Sequence, residues 1–415
     1  MRKIDQIASA ARDKTRVHGW THNFYRYPAR FSPVFARSVI QAYSDPGDWV
    51  IDPFVGGGTT LVEAMALGRN SLGIDVSALA TFVCRAKTLV LSDQDTRAFQ
   101  SWRSSIPEVI NMKARGDYCD IYATAGYYRN LEGGSFWRIR KAIEQSLRAV
   151  KRLHPSASEI LARCTVLRTA QWALDGRKTK PTIPQFRNKM SALAKEMLQA
   201  AEALRTQVEQ QSTNKQPQCI SLHRNTHGAH NDTSVRQVAP PRLILTSPPY
   251  PGIHVLYHRW QIDGRREAPA PFWIAGEFDG AGSSYYTLGD RHHPGLRTYF
   301  EQLEASFRSV AAMAGEETTI VQVVAFSNAE WQLPRYLEVM DSCGLVEDQP
   351  WGDSAGDGRL WRDVPNRKWH ALQKSRSPGS REVVLVHRKK QTTQRLPAPQ
   401  SGCPSPDPPC LKTPT

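Results

Sequence analysis

The sequence contains no Cys-x-x-Cys pair; its seven cysteines (Cys84, Cys119, Cys164, Cys219, Cys343, Cys403 and Cys410) are scattered and odd in number. A disulfide framework is not expected from such a set, and a reduced, cytoplasmic-type compartment is. No stretch approaches the ~18 consecutive apolar residues of a membrane span, and the opening Met1-Arg-Lys-Ile-Asp-Gln-Ile-Ala-Ser-Ala10 lacks the apolar run of a secretion signal. Export and membrane insertion are therefore not expected. There is no His-Glu-x-x-His, and His223, His227, His230, His254 and His258 have no cysteine partner. They read as solvated loop histidines, so no metal is expected. Acidic residues are also in deficit, 39 Asp+Glu against 54 Lys+Arg, for a formal charge of +15. Such a surplus suits a polyanion-binding surface, because each phosphate neutralised releases condensed counterions. Nucleic acid is the leading partner class.

What is present is enough to fold. Hydrophobic residues make up 40% of the chain, with 11 Trp, 13 Tyr and 13 Phe, so wholesale disorder is excluded. After an aromatic stretch, Val34, Phe35, Ser38, Val39 and Ala42 recur at helical spacing, with Pro33 suited to the first turn. Asp48-Trp-Val-Ile-Asp52 reads as a strand, followed by a glycine turn and a helix of Leu61, Val62, Ala64, Met65 and Leu67 closed by Gly68. Ser71 to Asp75 reads as a second strand and Ala78 to Leu89 as a second helix. Together 48–90 form a βαβα unit, which predicts an α/β, doubly wound, mostly parallel sheet.

Residues 91–212 change to helical periods, for example Phe136 to Leu153 and Met190 to Gln207, and read as a helical insertion. Strand signals return at Arg242–Thr246, Thr318–Phe326 and Glu382–His387, with a helix over Thr298–Ala314. Residues 390–415, with six prolines from Pro397 to Pro409, are expected to form a disordered Pro-rich tail.

Two segments carry chemistry. In Asp52-Pro-Phe-Val-Gly-Gly-Gly-Thr-Thr60 the glycines admit a ligand close to the backbone, and the following helix offers free N–H donors. The segment lacks the lysine of a phosphate-binding loop, so a cofactor without phosphates is preferred, and Asp75 at the end of the next strand is placed to accept from ribose hydroxyls. In Thr246-Ser-Pro-Pro-Tyr250 two prolines hold a rigid, extended backbone directly after an apolar strand. That rigidity suits alkylation of an exocyclic amine. Its lone pair is delocalised into an aromatic ring, and the Ser247 hydroxyl and Pro248 carbonyl can accept its two hydrogens. Tyr250 would stack on a base extruded from its duplex.

Taken together, these segments resemble the amino-DNA methyltransferases, the cytosine-N4 and adenine-N6 type. Asp52–Thr60 is similar to the Phe-x-Gly-x-Gly cofactor motif of that family and Thr246–Tyr250 to its catalytic motif. His22-Asn-Phe-Tyr-Arg-Tyr-Pro-Ala-Arg-Phe-Ser-Pro33 is similar to the stretch that closes the methionine side of the cofactor pocket. The resemblance implies S-adenosylmethionine as methyl donor, a Rossmann-like seven-stranded sheet, DNA as substrate and base flipping. Position by position it implies cofactor binding by Phe31, Asp52, Phe54, Gly56, Gly58, Thr59 and Asp75, and catalysis by Ser247, Pro248, Pro249 and Tyr250. The chain divides into a catalytic core over 17–90 and 213–389, a helical insertion over 91–212 that the resemblance leaves unexplained and that is a candidate target-recognition region, and the 390–415 tail. The companions the resemblance implies are a cognate restriction endonuclease or a defence-system partner.

The Ser form resembles cytosine-N4 enzymes more than the Asp form of adenine-N6 enzymes. Against that, the cofactor motif precedes the catalytic one, the reverse of the order common in Ser-Pro-Pro-Tyr enzymes. For the acid that contacts adenine, the sequence offers Asn225 or Asp232. Cytosine-C5 methylation would need a Pro-Cys nucleophile on the sheet, and Pro409-Cys410 lies in the tail. A guanine-N2 RNA methyltransferase and a catalytically inactive DNA-binding protein stand as alternatives. Besides 91–212, with its basic run Arg138-Ile-Arg-Lys141, the interleaved aromatics and arginines of 252–297 are a second candidate for reading the target.

Overall fold

The computed structural model describes residues 2–15, 17–27, 32–114, 121–132, 136–154, 156–211, 215–252, 259–263, 266–280, 286–289, 294–352, 357–363 and 381–391. The expected disordered tail lies outside them from residue 392 onward.

Two helices, α1 (Lys3–Arg12) and α2 (Pro33–Tyr43), precede strand β1 (Trp49–Asp52). Pro33 stands in the first turn of α2 and the Ser32 side chain accepts from the Phe35 amide, an N-cap that starts the helix where the periodicity does. The βαβα unit follows as α3 (Thr59–Ala66), β2 (Asn70–Asp75) and α4 (Ala78–Lys87). Next comes a wholly helical run of α5 (Asp93–Val109), α6 (Ile121–Thr124), α7 (Trp137–Val150), α8 (Ala157–Leu174) and α9 (Ile183–Gln211). A capping box of Ser92 and Asp95 opens α5.

The chain then returns to the sheet with β3 (Cys219–His223), α10 (Thr233–Val238) and β4 (Leu243–Thr246). It leaves it for a small hairpin, β5 (Trp260–Ile262) with β6 (Arg266–Ala268), and α11 (Ala270–Ala275). It finishes through α12 (Arg297–Met313), β7 (Thr319–Ala325), α13 (Ala329–Ser342), β8 (Leu345–Asp348), β9 (Leu360–Asp363) and β10 (Arg381–Lys389).

The main sheet runs β3-β2-β1-β4-β7-β10-β8. The neighbours from β3 to β7 are parallel, whereas β10 is antiparallel to β7 and β8. This is the expected Rossmann-like α/β architecture with one addition: β9 pairs with the first half of β10, making eight strands where seven were expected. The period of two sorts residues to the two faces. Val50, Leu243, Leu245, Val321 and Val323 pack under α1 and α2, while Ile51, Ile244, Ile320 and Val324 pack under α12 and α13.

The helical run does not stand apart from the sheet. Its core residues, such as Phe99, Trp102, Leu161 and Met190, share one buried cluster with Phe24 and Tyr25 of the N-terminal aromatic stretch, with Leu79 and Phe82 of α4, and with Trp260 and Phe272 of the hairpin segment. The Trp260 indole N–H donates to the buried Tyr25 hydroxyl at 2.9 Å. The two regions named as target readers are thus halves of one lobe.

Candidate active site

Both motifs lie at the carboxyl edge of the parallel strands, where an open α/β sheet leaves a crevice. Strands β1 and β4 are direct neighbours, with Val50 opposite Leu243 and Ile51 opposite Ile244. The glycine turn after β1 and the Ser-Pro-Pro-Tyr turn after β4 therefore open side by side.

Asp52 joins them. One carboxylate oxygen accepts from the Thr246 hydroxyl at 2.7 Å and the Phe54 amide at 3.1 Å, and the other accepts from the Thr60 hydroxyl at 2.7 Å. Burial pushes its carboxyl up to about 6, against the pull of those three hydrogen bonds. These three contacts all run to the protein's own turns and not to the crevice.

The glycine turn is built to be bare. Gly56 and Gly58 adopt φ of +46° and +75°, and a Cβ on Gly58 would lie 2.9 Å from the Cys84 sulfur of α4. Only glycine fits at Gly58 without strain. Lys87, fully buried on α4, donates to the Gly57 carbonyl at 2.6 Å and so braces the turn. Helix α3 starts at Thr59, itself buried, without a side-chain cap. Phe54 is half-buried and stacks on Phe307 with centroids 6.3 Å apart.

Asp75, at the end of β2, accepts from the Gly56 amide on one oxygen and the Ser77 amide on the other, each at 2.8 Å. Burial raises its carboxyl, against those two amides. It is half-exposed, and each oxygen keeps a second lone pair for a hydroxyl. A positive-φ glycine turn, an uncapped helix start and an acceptor-only carboxylate fit a nucleoside cofactor with no phosphate. Phe31 lies outside the described residues.

The catalytic-type turn is held as firmly. Ser247 is half-exposed, with Oγ 3.0 Å from the Val323 carbonyl of β7 and 2.9 Å from the Tyr250 hydroxyl. Tyr250 donates to Glu382 Oε1 at 2.7 Å, and Arg362 Nε donates to Glu382 Oε2 at 2.9 Å. The Pro249 carbonyl accepts from the Tyr299 hydroxyl at 2.7 Å. Pro248 is buried, and among the described residues its carbonyl takes part in no hydrogen bond. The turn ends at Gly252, φ +70°, where a Cβ would meet Ser327 Oγ at 2.4 Å.

Sequence reasoning assigned no role to Thr246, Tyr299, Arg362 or Glu382. The one available signal was an acid opening an otherwise apolar strand, Glu382-Val-Val-Leu-Val.

Other expectations need correction. Of the aromatics and arginines of 252–297, Trp260 and Trp273 are 1% and 2% exposed and form core, and Arg259 pairs with Asp279 at 2.8 Å. His254, Tyr257, His258, Arg265, Tyr285 and Arg291 lie outside the described residues. Asp232 caps α10 and pairs with Arg224 at 2.8 Å, which holds its carboxyl below the usual range, while Asn225 accepts from the His227 amide. Of the basic run, Lys141 donates to the Met112 and Ala114 carbonyls and Arg140 pairs with Glu144, whereas Arg138, Arg148, Lys151 and Arg152 are exposed. Among the described residues no cluster could hold a metal ion, and no helix is long and apolar enough to cross a membrane.

The stretch preceding β1 is anchored to the same helix as the glycine turn. His22 Nε2 lies 2.7 Å from Glu63 of α3, and Arg37 reaches the other oxygen of Glu63 at 2.7 Å.

Comparison with known proteins bears on the cofactor-type part of the chain. Residues 6–80 match the family model of N6 and N4 methylases, described as DNA methylase. The type II methyltransferase M.MjaII of Methanocaldococcus jannaschii is 38% identical over 66 residues, which is 16% of this chain and 12% of that one. M.MvaI of Kocuria varians is 28% identical over 127 residues, 28% of each chain. The DNA adenine methyltransferase YhdJ of Escherichia coli is 35% identical over 66 residues, 16% of this chain and 22% of that one. The chain thus spans well under a third of the length of each of these relatives. The matched model covers α2, the glycine turn and β2, the segment whose geometry forms the cofactor-type crevice, and over those residues the chain is similar to the N6 and N4 DNA methylases.

Proposed function

We propose that this protein is a DNA methyltransferase that transfers a methyl group from S-adenosylmethionine to the exocyclic amine of a flipped base, with cytosine N4 as the target. The observation that carries the reading is the Asp52–Thr246 hydrogen bond, which sets a cofactor-type turn and an amine-binding turn against one crevice.

When bound, S-adenosylmethionine supplies an electrophilic methyl group on a positively charged sulfur. Gly56, Gly58, Thr59 and the start of α3 would hold it against the backbone, with Asp75 accepting from its ribose hydroxyls and Phe54 beside it; Phe31 is assigned to the cofactor by resemblance alone. Asp52 acts from beneath, by fixing the turn. Ser247 Oγ and the Pro248 carbonyl accept the two hydrogens of the amine. That draws its nitrogen toward tetrahedral geometry and frees the lone pair that must attack. The route needs neither a metal nor a covalent enzyme intermediate. Tyr250 offers a ring face to the extruded base, and Pro249, pinned by Tyr299, keeps the turn rigid. The +15 charge supplies the sequence-independent attraction to DNA, and the lobe of α5–α9 with the hairpin is the region that reads the target. A nuclease or defence-system companion is consistent with the type II relatives.

Ser247 in place of an acid favours cytosine N4. Adenine N6 is the second reading, supported by the order of the motifs and by the likeness to an adenine methyltransferase.

Single-molecule sequencing of DNA from a methylation-free host tests both, with wild type run beside Ser247→Ala. N4-methylcytosine at one sequence motif, absent in the mutant, is the expected result. N6-methyladenine would select the second reading. An unmarked genome with demonstrable cofactor binding would overturn DNA as substrate.

A further inference from the structure

We propose that Glu382, backed by Arg362, is a positioning residue that fixes Ser247 as a hydrogen-bond acceptor. The inference rests on the role given to Ser247 above and adds a residue 135 positions away, on the strand beyond β7.

The fold explains why β10 can do this. It is antiparallel to β7, so its beginning, not its end, lies at the carboxyl edge of the parallel strands: Glu382 stands opposite Ala325, near the end of β7. On its other side Glu382 is the cross-strand partner of Arg362 in β9. Both side chains are buried, 5% and 6% exposed, and the Arg362 guanidinium lies 5.4 Å from the Phe35 ring centroid. A buried ion pair is a weak source of stability, because desolvation offsets the attraction. This one is joined to the Ser-Pro-Pro-Tyr turn.

Counting hydrogens gives the consequence. A phenol has one hydrogen, and that of Tyr250 points to Glu382, a carboxylate that can only accept. The Tyr250 oxygen then faces Ser247 as an acceptor. The single hydrogen of Ser247 is drawn inward, toward Tyr250 or the Val323 carbonyl, both within 3.0 Å. Both lone pairs of Ser247 are left for the amine. Arg362 fixes the sense of the relay by occupying the other carboxylate oxygen.

Glu382→Gln reverses this arrangement. Arginine has no acceptor, so the carboxamide must turn its oxygen to Arg362 and its NH2 to Tyr250. Tyr250 then accepts from Gln and donates to Ser247, which loses one of its two lone pairs. Turnover on DNA should fall roughly ten- to a hundredfold, as for loss of one polar contact to a reacting group. KM for DNA and Kd for S-adenosylmethionine should stay within about twofold.

The diagnostic variant is Glu382→Gln with Tyr250→Phe. Without the phenol there is no donor to invert, so kcat of the double variant should equal that of Tyr250→Phe alone and exceed that of Glu382→Gln. Losses that multiply, or a Glu382→Gln enzyme with unaltered kcat, would overturn the proposal. If Glu382→Gln fails to fold, Glu382→Gln with Arg362→Met removes the unpaired cation and frees the carboxamide oxygen for Tyr250. That variant should keep kcat within about threefold of wild type, since the relay retains its sense. A drop like that of Ser247→Ala would overturn the proposal. Wild-type turnover is measured first: its absence refutes the function proposed above, whereas its presence with the wrong pattern of variants refutes only the role of Glu382.

Discussion

Thr246, the last residue of β4, donates its hydroxyl to Asp52, the last residue of β1, at 2.7 Å, with both side chains buried. One carboxylate thereby sets the spacing between two turns 194 residues apart in sequence. Thr246→Val keeps the shape and removes the donor. It should destabilise the fold by about 1–3 kcal/mol, the cost of a buried acceptor losing its partner. Turnover should fall further than cofactor affinity, because Asp52 keeps its bonds to Thr60 and Phe54 on the glycine-turn side and loses its link to the β4 turn. Denaturant unfolding beside single-turnover kinetics separates the effects, and equal losses in both would show that the link only stabilises.

Ser247→Ala removes the acceptor while leaving the Tyr250–Glu382–Arg362 chain in place. We expect kcat to drop on the order of ten- to a thousandfold with cofactor Kd unchanged within about twofold. Calorimetric titration with S-adenosylmethionine and a methyl-transfer assay check the two halves. Undiminished turnover would remove Ser247 from the chemistry.

At Asp75 the prediction is the converse. Asp75→Asn can still accept from one of the Gly56 and Ser77 amides, but its NH2 opposes the other and cannot accept from a ribose hydroxyl. Cofactor Kd should rise at least about tenfold, corresponding to about 1.4 kcal/mol. An unaltered Kd would refute the ribose assignment.

Two buried groups make stability depend on pH with opposite signs. Burial lowers His387, in the middle of the sheet, from 6.5 to about 4. Between those values the unfolded chain binds the extra proton, so stability falls as pH drops through that window. Asp52 is raised from 3.8 to about 6, so there the folded chain binds the extra proton and stability falls as pH rises. Between about 4 and 6 the two oppose each other. Asp52→Asn leaves His387 unopposed, so the variant should lose more stability than wild type between pH 6 and pH 5, by about 1 kcal/mol. Urea midpoints at the two pH values measure it; parallel losses would show that Asp52 does not titrate there.

The inner strands were readable because they are apolar runs ending in chemistry: Val50-Ile-Asp52, Leu243-Ile-Leu-Thr246 and the long β7 and β10. Strands β8 and β9 are short and half charged, and they exist only because β10 offers its free edge, so no local pattern announced them. The site divided in the same way. Gly56, Gly58, Asp75 and Ser247 lie in segments whose local order carries meaning. Glu382 and Arg362 act through a contact that forms only once β10 has crossed back beside β7. Trp260 and Trp273 misled for the opposite reason: aromatics interleaved with arginine look the same whether they face a base or a core, and here the lobe needed them.

The shared cluster that joins Tyr25, Phe82, Trp260 and the helices α5, α8 and α9 has a bearing on protein engineering. A transplant of the lobe proposed above to read the target would find no seam at residue 91. Excising it would strip the covering from α4, the helix whose Cys84 and Lys87 shape and brace the glycine turn, and from the aromatic stretch anchored to α3. A chimaera that exchanges specificity must therefore carry over the outer face of α4 and residues 20–27 together with the helices. The portable unit is larger than any boundary drawn along the chain.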